Sequence, residues 1–421
     1  MQLFNNLTRN LEKLTPEKED FTLYACGITP YDTTHLGHAF TYTCIDILIR
    51  YLEFLSHSVI YVQNVTDVDD DILRRAREVG EDWRALGNQW TSHFIHDMMS
   101  LNVLAPAHFP RATDFISEIQ EWVRKLLDAG VAYQAEGSVY FHIDSYPEFG
   151  KLSRLPRPEM LTIANERGNR PNDPNKRDPL DFVLWQAQAS GEPGWESPWG
   201  PGRPGWHIEC STMATRLLGE VIDIHVGGSD LAFPHHECEV AQVEPVTQKT
   251  PCVRFWMHIA MVHHEGEKMS KSLGNLIMVR DLLEAWSPDS LRLYLGCHHY
   301  REIWRHEIEV LERSARLAQV LRSAAAAING QGSFVDPSPT MNAFHQAMDA
   351  DLDTPSALSI LEHFATQILD ASASGKGIGR AQHALRTMGK VFGLQLDTEG
   401  PEVRVLSGWQ EHLKHFTHTE A

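Results

Sequence analysis

Residues 21–39 read FTLYACGITPYDTTHLGHA, and the rest of the chain can be organised around this stretch. The apolar, strand-forming run at 21–26 is interrupted by Gly27 and Pro30. The tetrapeptide HLGH at 35–38 then opens an apolar segment with helical spacing. A helix N-terminus offers free N–H groups and a positive dipole. The order strand, polar loop, helix therefore predicts a phosphate-binding site.

A second strand is predicted at 58–63, where the sequence SVIYVQ precedes Asn64-Val65-Thr66. With the helix between them, the two strands form a unit typical of a parallel sheet with a right-handed crossover. Ligands of such sheets bind beyond the carboxyl ends of the strands. Residues 26–29 and 64–66 both fall there, so we expect them to lie at one site.

The composition is that of a soluble globular protein of 421 residues, long enough for two or three domains. Its sequence contains neither an apolar run of membrane-spanning length nor the apolar core of a signal peptide, and we expect a cytoplasmic protein. A net charge of −19 disfavours general binding of nucleic acids. Six cysteines without a disulfide-scaffold spacing are expected to be free thiols or metal ligands.

Changes in composition along the chain predict its organisation. Residues 148–204 are rich in proline, glycine, arginine and asparagine and predict a loop-like insertion, whereas the pattern from about 275 to 395 is helical. The predicted units are a catalytic domain at 1–275 with an insertion at about 106–204, a connecting helical segment at 276–315, a helical bundle at 316–395 and a short tail at 396–421.

The sequence GEKMSKSLGN at 266–275 places Lys268 and Lys271 three residues apart in a loop rich in serine and glycine. Alone, it is equally compatible with a solvated turn. Together with His35 and His38 it predicts a site where mobile lysines and histidines neutralise a leaving pyrophosphate, since nucleotidyl transfer depends on positioning and charge neutralisation. These four residues are the predicted catalytic groups.

HLGH and KMSKS resemble the two signatures of the class I aminoacyl-tRNA synthetases, and the segments around them resemble the cysteinyl group. The resemblance runs to about residue 395 and includes CGITPYDTTHLGHA, YVQNVTDVDD, GRPGWHIECSTM at 202–213 and HVGGSDLAFPHHECE at 225–239. It implies an α/β fold, in which a Rossmann-like catalytic domain carries an insertion and an α-helical domain follows.

The resemblance also implies a zinc site. The ligands that it carries over to this sequence are Cys26, Cys210, His235 and Glu239. Spacing alone does not indicate this site, and the neighbouring His236, Glu237 and Cys238 are alternatives of lower rank. A zinc ion that accepts the thiolate of a substrate cysteine would reject serine, which lacks a thiol.

Further positions are implied to line the aminoacyl-adenylate. They are Cys26, Gly27, Ile28, Thr29, Thr41, Asn64, Val65, Thr66, Trp206, Gly228, Ser229, Asp230 and Val262. Asp230 would contact the ribose and Val262 would lie by the adenine, while Trp206 is also compatible with a core position. Mg²⁺ would accompany ATP.

Two acceptors fit a family that first makes cysteinyl-AMP. One branch charges tRNA(Cys), and a paralogous ligase of mycothiol biosynthesis joins cysteine to the amine of glucosaminyl-inositol. The motifs ITPYD, GGSDL and HYREIW and the short stretch after residue 395 favour the ligase, whereas the opening segment, DPNKRDPLDFVLW and Glu239 favour the synthetase. We predict the small-amine ligase, as a monomer, with the tRNA ligase as the alternative.

Two other classes of function are disfavoured by the residues present. A catalytically inactive paralogue would be expected to lose a signature histidine or lysine, and all four are present. A nucleotidyltransferase acting on a different thiol or acid is disfavoured by the complete set of candidate zinc ligands.

Overall fold

The computed structural model describes residues 1–31, 34–264, 266–269, 274–397 and 400–417. Its strands are β1 (Gln2–Asn5), β2 (Asn10–Lys13), β3 (Phe21–Ile28), β4 (Val59–Val65), β5 (Ala132–Ala135), β6 (Ser138–Phe141), β7 (Phe182–Ala187), β8 (Gly202–Pro204), β9 (Ile222–Gly228), β10 (Val253–Ile259), β11 (Val262–His264), β12 (Glu267–Lys268) and β13 (Trp304–Arg305). Its helices are α1 (Leu36–Phe54), α2 (Asp70–Val79), α3 (Trp83–Ser100), α4 (Ile116–Asp128), α5 (Arg157–Glu166), α6 (Trp206–Leu218), α7 (Glu237–Thr247), α8 (Val279–Ala285), α9 (Pro288–Gly296), α10 (Ile308–Ala326), α11 (Ser338–Asp349), α12 (Thr354–Ala373), α13 (Gly379–Val391) and α14 (Val403–Thr417).

A parallel sheet lies at the centre of the catalytic region. Among the described residues its strand order is β10-β9-β3-β4, with every neighbouring pair parallel. The strands are buried on both faces, which is why β3 is a nearly continuous apolar run, while β9 and β10 bury the polar Asp223, His225 and His258 among apolar residues. The predicted β3–α1–β4 unit is confirmed, and Leu23 of β3 pairs with Tyr61 of β4 and Ile224 of β9.

Helix α1 fills the space between this sheet and the helices that follow. It begins after the N-cap His35, whose side chain accepts a hydrogen bond from the Gly37 amide. Most of α1 is buried around its circumference, including the ion pair between Asp46 and Arg50 at 2.8 Å. Arg292 of α9 also pairs with Asp46, so the helix that carries HLGH is fixed by charge as well as by apolar packing.

The insertion contains regular structure where the sequence predicted loops. Strands β5, β6, β7 and β8 form an antiparallel sheet, and α5 lies between its second and third strands. Within 148–204, the sequence predicted a loop because the strands there are short and the glycine- and proline-rich turns between them are long. Packing of β7 against α6 secures the sheet, with Trp185 fully buried.

The C-terminal part of the described chain is helical, as predicted. Helix α10 runs without interruption through the predicted boundary at 315–316. The segment expected to be a short tail contains α14, which packs on α3 and buries Trp409, whose Nε1 donates to the Val103 carbonyl at 2.8 Å. In the part of the chain that the structure describes, no helix has the length and apolarity needed to span a membrane.

Candidate active site

The four predicted metal ligands lie together at the carboxyl end of the central sheet. Cys26 comes from β3, Cys210 from α6, His235 from the turn before α7, and Glu239 from α7. All four side chains are buried, and their ligand atoms lie within 4.8 Å of one another. The chain thus contains a candidate metal site built from segments up to 213 residues apart.

The distances between these atoms fit a tetrahedral ion of the size of zinc. The Sγ atoms of Cys26 and Cys210 are 3.9 Å apart, and Cys26 Sγ is 3.7 Å from Glu239 Oε1. With Zn–S bonds of about 2.3 Å and Zn–O bonds of about 2.1 Å, tetrahedral geometry places two sulfurs roughly 3.8 Å apart and a sulfur and an oxygen roughly 3.6 Å apart. His235 Nε2 lies 3.1 Å from Glu239 Oε1.

The protonation of these groups is set by their burial. Burial raises the pKa of the Cys26 thiol, and the neighbouring Cys210 and Glu239 raise it further. Burial lowers the pKa of His235 well below its ordinary value, which leaves a neutral imidazole able to act as a ligand. A bound cation would reverse the effect on the thiols, because a coordinated thiol loses its proton.

A neighbouring histidine orients His235. The Nδ1 atoms of His207 and His235 are 3.0 Å apart, so one ring donates to the other and the Nε2 atom of His235 faces Glu239. The Trp206 ring packs on His235 with centroids 4.5 Å apart. Contacts of this kind fix the tautomer and the direction of a ligating imidazole.

The structure adds histidines that sequence analysis missed or ranked low. Cys26, His225, His236 and Glu239 form a second buried group, in which Cys26 Sγ lies 3.3 Å from His236 Nε2 and His225 Nε2 lies 2.9 Å from Glu239 Oε2. His258 extends it, 2.8 Å from His236 Nδ1. The available signal was a histidine inside each of two mainly apolar strands, β9 and β10.

The two other low-ranked alternatives lie outside these groups. The Glu237 carboxylate accepts hydrogen bonds from the backbone amides of Gly150 and Ser153 at 2.9 and 2.7 Å, and so anchors the insertion. Cys238 is buried in the apolar core beneath the site.

The HLGH segment is joined directly to the chain that follows KMSKS. Leu36 N donates to the Ile277 carbonyl at 2.8 Å, and Val279 N donates to the Thr34 carbonyl at 3.0 Å. The rings of His35 and His38 lie against each other with centroids 3.8 Å apart. The structure therefore brings HLGH together with the segment that follows KMSKS.

The predicted lysines are only partly visible. The backbone of Lys268 lies in β12, paired with His263 of β11. Its side chain and the whole of Lys271 lie outside the described residues. The catalytic role assigned to both lysines stays a prediction.

Gly27 of β3 and Asn64 of β4 hold these two strands unusually close. Gly27 N donates to Asn64 Oδ1 at 2.8 Å, and a Cβ atom at position 27 would lie 1.5 Å from the Asn64 carbonyl oxygen. Asn64 Nδ2 donates to Thr66 Oγ1 at 3.2 Å, and Asn64 Oδ1 lies 3.6 Å from Cys210 Sγ. The carboxyl ends of β3 and β4 are thereby tied to the candidate ligands.

The remaining predicted site residues surround the same edge. Ile28 and Val65 are buried and paired across the strands, Thr29 follows at the loop, and the Thr41 hydroxyl bonds within α1. Val262 is buried at the start of β11.

The turn after β9 approaches the insertion. Gly228 ends β9, Ser229 and Asp230 form the following turn, and Asp230 pairs with Arg167 at 2.9 Å. A Cβ atom on Gly228 would lie 2.7 Å from Asp230 Oδ1, so the missing side chain makes room for the carboxylate.

Comparisons with known proteins agree with this geometry. A family model described as "tRNA synthetases class I (C) catalytic domain" matches residues 13–316. The chain belongs to the class I tRNA synthetases. A second family model, the DALR domain, matches residues 343–397 in the helical region. Members of this synthetase family are ATP-dependent enzymes, which makes the chain a ligase.

The relatives of this class I synthetase divide between two named activities. It is 42% identical to a cysteine--tRNA ligase of Thermosynechococcus vestitus over 95% of this chain and 86% of that protein. It is 45% identical to an L-cysteine:1D-myo-inositol 2-amino-2-deoxy-alpha-D-glucopyranoside ligase of Mycolicibacterium smegmatis over 88% of this chain and 90% of that protein. A Mycobacterium tuberculosis methionyl-tRNA synthetase shares the fold, with a TM-score of 0.65 at 15% identity over 95% of this chain and 93% of that chain.

Proposed function

We propose that this ligase activates L-cysteine with ATP to cysteinyl-AMP and transfers the cysteinyl group to the amine of glucosaminyl-inositol. The activation half is supported by one observation above all. A buried set of two thiols, an imidazole and a carboxylate lies at the same sheet edge as HLGH and the segment 277–279 that is bonded to it. A site for a thiol and a site for a nucleotide thus adjoin, as adenylation of cysteine requires.

The proposed metal is Zn²⁺, held by Cys26, Cys210, His235 and Glu239, because two thiolates and an imidazole are soft to borderline ligands that suit zinc. When bound, it would supply a Lewis acid that accepts a substrate thiolate and selects against a hydroxyl. Mg²⁺ is proposed to arrive with ATP, since magnesium in such sites is held largely by phosphates.

The roles of this chain's own residues follow from their placement. His35, His38, Lys268 and Lys271 are proposed to stabilise the pyrophosphate as the cysteine carboxylate attacks the α-phosphate. Asp230, held by Arg167, is proposed to bind the ribose. Positioning and charge neutralisation then supply most of the rate. The catalytic domain is proposed to comprise residues 1–275.

The choice of the small amine rests on the charge of the helical region. Residues 308–421 contain nine lysines and arginines against thirteen aspartates and glutamates. A protein surface that reads tRNA needs a basic patch to neutralise phosphates. An acidic region in this position favours a small acceptor without phosphate groups over a polyanion such as tRNA.

Ion pairs within the chain lower the available positive charge further. The pairs in the helical region and in α14 are Arg316–Glu312, Arg322–Asp289, Arg386–Asp397, Arg404–Glu53 and Lys414–Glu411. A phosphate that approached these cations would have to compete with carboxylates already in contact with them.

One observation favours tRNA as the second candidate acceptor. Glu239 lies within bonding distance of both candidate metal groups, and it is the ligand position that the sequence resemblance associates with the synthetase branch. The identity to named tRNA ligases is also as high as 43%.

The acceptor is decided by measuring AMP release with cysteine and ATP in the presence of either acceptor. We expect glucosaminyl-inositol to stimulate AMP release strongly and to yield a cysteinyl amide, while tRNA(Cys) at the same concentration has no effect. Serine in place of cysteine serves as the control for background hydrolysis. Stimulation by tRNA alone would reverse the proposal and leave the activation half intact.

Substitution of Lys268 by alanine tests the assignment of KMSKS. Loss of one preorganised group that stabilises transition-state charge is expected to slow cysteine-dependent pyrophosphate exchange by about 10²- to 10³-fold. Metal content is expected to stay unchanged. The matched control is Lys249→Ala, at an exposed position between α7 and β10. Normal exchange by the Lys268 variant would refute the role.

A further inference from the structure

A buried glutamate beside the candidate metal site has no role in the function proposed so far. Glu209 lies in the first turn of α6, one residue before Cys210, and its exposed fraction is 0%. Neither of its carboxylate oxygens has a hydrogen-bond partner among the described residues. Buried polar groups in native proteins are almost always paired, so a buried carboxylate in this position calls for a further donor beyond those that the described residues supply.

The neighbours of Glu209 make it a site for a cation. The carboxylates of Asp67 and Asp69 and the thiol of Cys210 act on its carboxyl group, and the hydroxyl of Thr66 lies beside it. The charged groups named here are all acidic. A positive charge placed beside Glu209 would therefore gain from several carboxylates at low dielectric.

The other two carboxylates are already engaged. Asp67 accepts from the Thr113 amide at 3.0 Å, and Asp69 caps α2 by accepting from the Ile72 amide at 2.9 Å. Asp67 also accepts from the Thr113 hydroxyl, so both carboxylates are already bonded to protein donors. The Glu209 carboxylate and the Thr66 hydroxyl offer too few oxygen ligands for a hard divalent ion, which needs six or more. They suit a cation that carries a few hydrogen-bond donors.

Glu209 is linked to the proposed cysteine site through its neighbours. Thr66 follows β4 and its hydroxyl accepts from Asn64 Nδ2, and the Oδ1 atom of the same asparagine contacts Cys210 Sγ at 3.6 Å. Glu209 therefore shares two neighbours, Thr66 and Cys210, with the cluster proposed to hold the substrate sulfur. In cysteine only two carbon atoms separate the sulfur from the amino group.

We propose that Glu209, together with the Thr66 hydroxyl, binds the α-ammonium group of the cysteine substrate. The inference rests on the proposed activation of cysteine and adds the group that distinguishes an amino acid from a simple thiol acid. An ammonium ion brings three hydrogen-bond donors and one positive charge, which pair the orphaned carboxylate oxygens.

The test compares cysteine with 3-mercaptopropionate, which has the same thiol and carboxylate but no amino group. The measurement is kcat/KM for pyrophosphate exchange by wild type and by Glu209→Gln, which keeps the side-chain shape and removes the charge. We expect the variant to lose about 10- to 100-fold with cysteine, the cost of a charged hydrogen bond, and less than about threefold with 3-mercaptopropionate.

Two controls separate this role from a structural one. Glu244→Gln removes the same charge from a buried glutamate whose oxygens are already bonded by Tyr146 and Lys151, and it is expected to leave the ratio of the two substrates unchanged. Metal content and thermal midpoint of the Glu209 variant are measured in parallel.

The outcomes distinguish the inference from the function on which it rests. If Glu209→Gln slows both substrates equally, or changes neither, then Glu209 does not bind the ammonium group and the inference falls. An effect confined to the transfer step would also overturn it, since the acceptor amine would then be the cation. Failure of the wild type to exchange with cysteine would instead refute the proposed function.

Discussion

Replacement of Cys210 by serine is expected to remove the bound metal and to reduce cysteine-dependent pyrophosphate exchange by at least about 10³-fold. Cys210 is buried, and its Sγ atom lies 3.9 Å from Cys26 Sγ, at the separation expected of two thiolates on one tetrahedral ion. Serine keeps the size of the side chain but is a poor ligand, because its hydroxyl does not ionise near neutral pH. The measurements are metal content per chain and the exchange rate.

Cys238→Ser is the matched control for this result. Cys238 is equally buried and lies near the ligands in sequence, but it belongs to the apolar core and to neither candidate metal group. We expect full metal content and exchange within a few-fold of wild type. Normal exchange by a metal-free Cys210 variant would show that the cluster does not hold the substrate thiol.

Replacement of Gly27 by alanine is expected to destabilise the protein by more than about 4 kcal/mol and to abolish activity. The added Cβ atom would lie 1.5 Å from the Asn64 carbonyl oxygen, which belongs to the backbone of β4. The clash can be relieved only by separating β3 from β4, which breaks the hydrogen bond between Gly27 N and Asn64 Oδ1. Urea unfolding with the m-value monitored measures the loss.

Gly87→Ala provides the comparison. Gly87 lies within α3, and its nearest neighbour to an added Cβ atom is a Pro30 side-chain atom at 3.7 Å, an ordinary contact. We expect the unfolding free energy to change by no more than about 1 kcal/mol, since alanine is the better helix former. A Gly27 variant as stable as the Gly87 variant would contradict the close approach of the two strands.

Local patterns were sufficient for the β3–α1–β4 unit of the catalytic region. The strand at 21–26, the helix opened by HLGH and the strand at 58–63 are confirmed because each has a continuous apolar run with clear breakers at its ends. Elements with weaker patterns were missed. The short strands of the insertion pack against α6, and helix α14 packs against α3. No pattern within their own sequences predicts these contacts.

The residues of the candidate site also fall into two groups: those that sequence patterns could place and those that they could not. Cys26, the Asn64–Thr66 segment and HLGH could be placed at one sheet edge from sequence, because the carboxyl ends of parallel strands meet. Cys210, His235 and Glu239 came only from resemblance. Their roles as metal ligands stay a prediction that the geometry supports.

By itself, the sequence determined a βαβ unit with a nucleotide signature at the start of its helix, since hydrophobic period and turn residues are local properties. Tertiary structure alone decided that Cys26 and Cys210 touch, that His225 and His236 form a second group, and that the Glu209 carboxylate is buried with no hydrogen bond to its oxygens from the described part of the chain. Those facts depend on the order of strands in the sheet and on how α6 and α7 pack beneath it. Distance along the chain carries no such information.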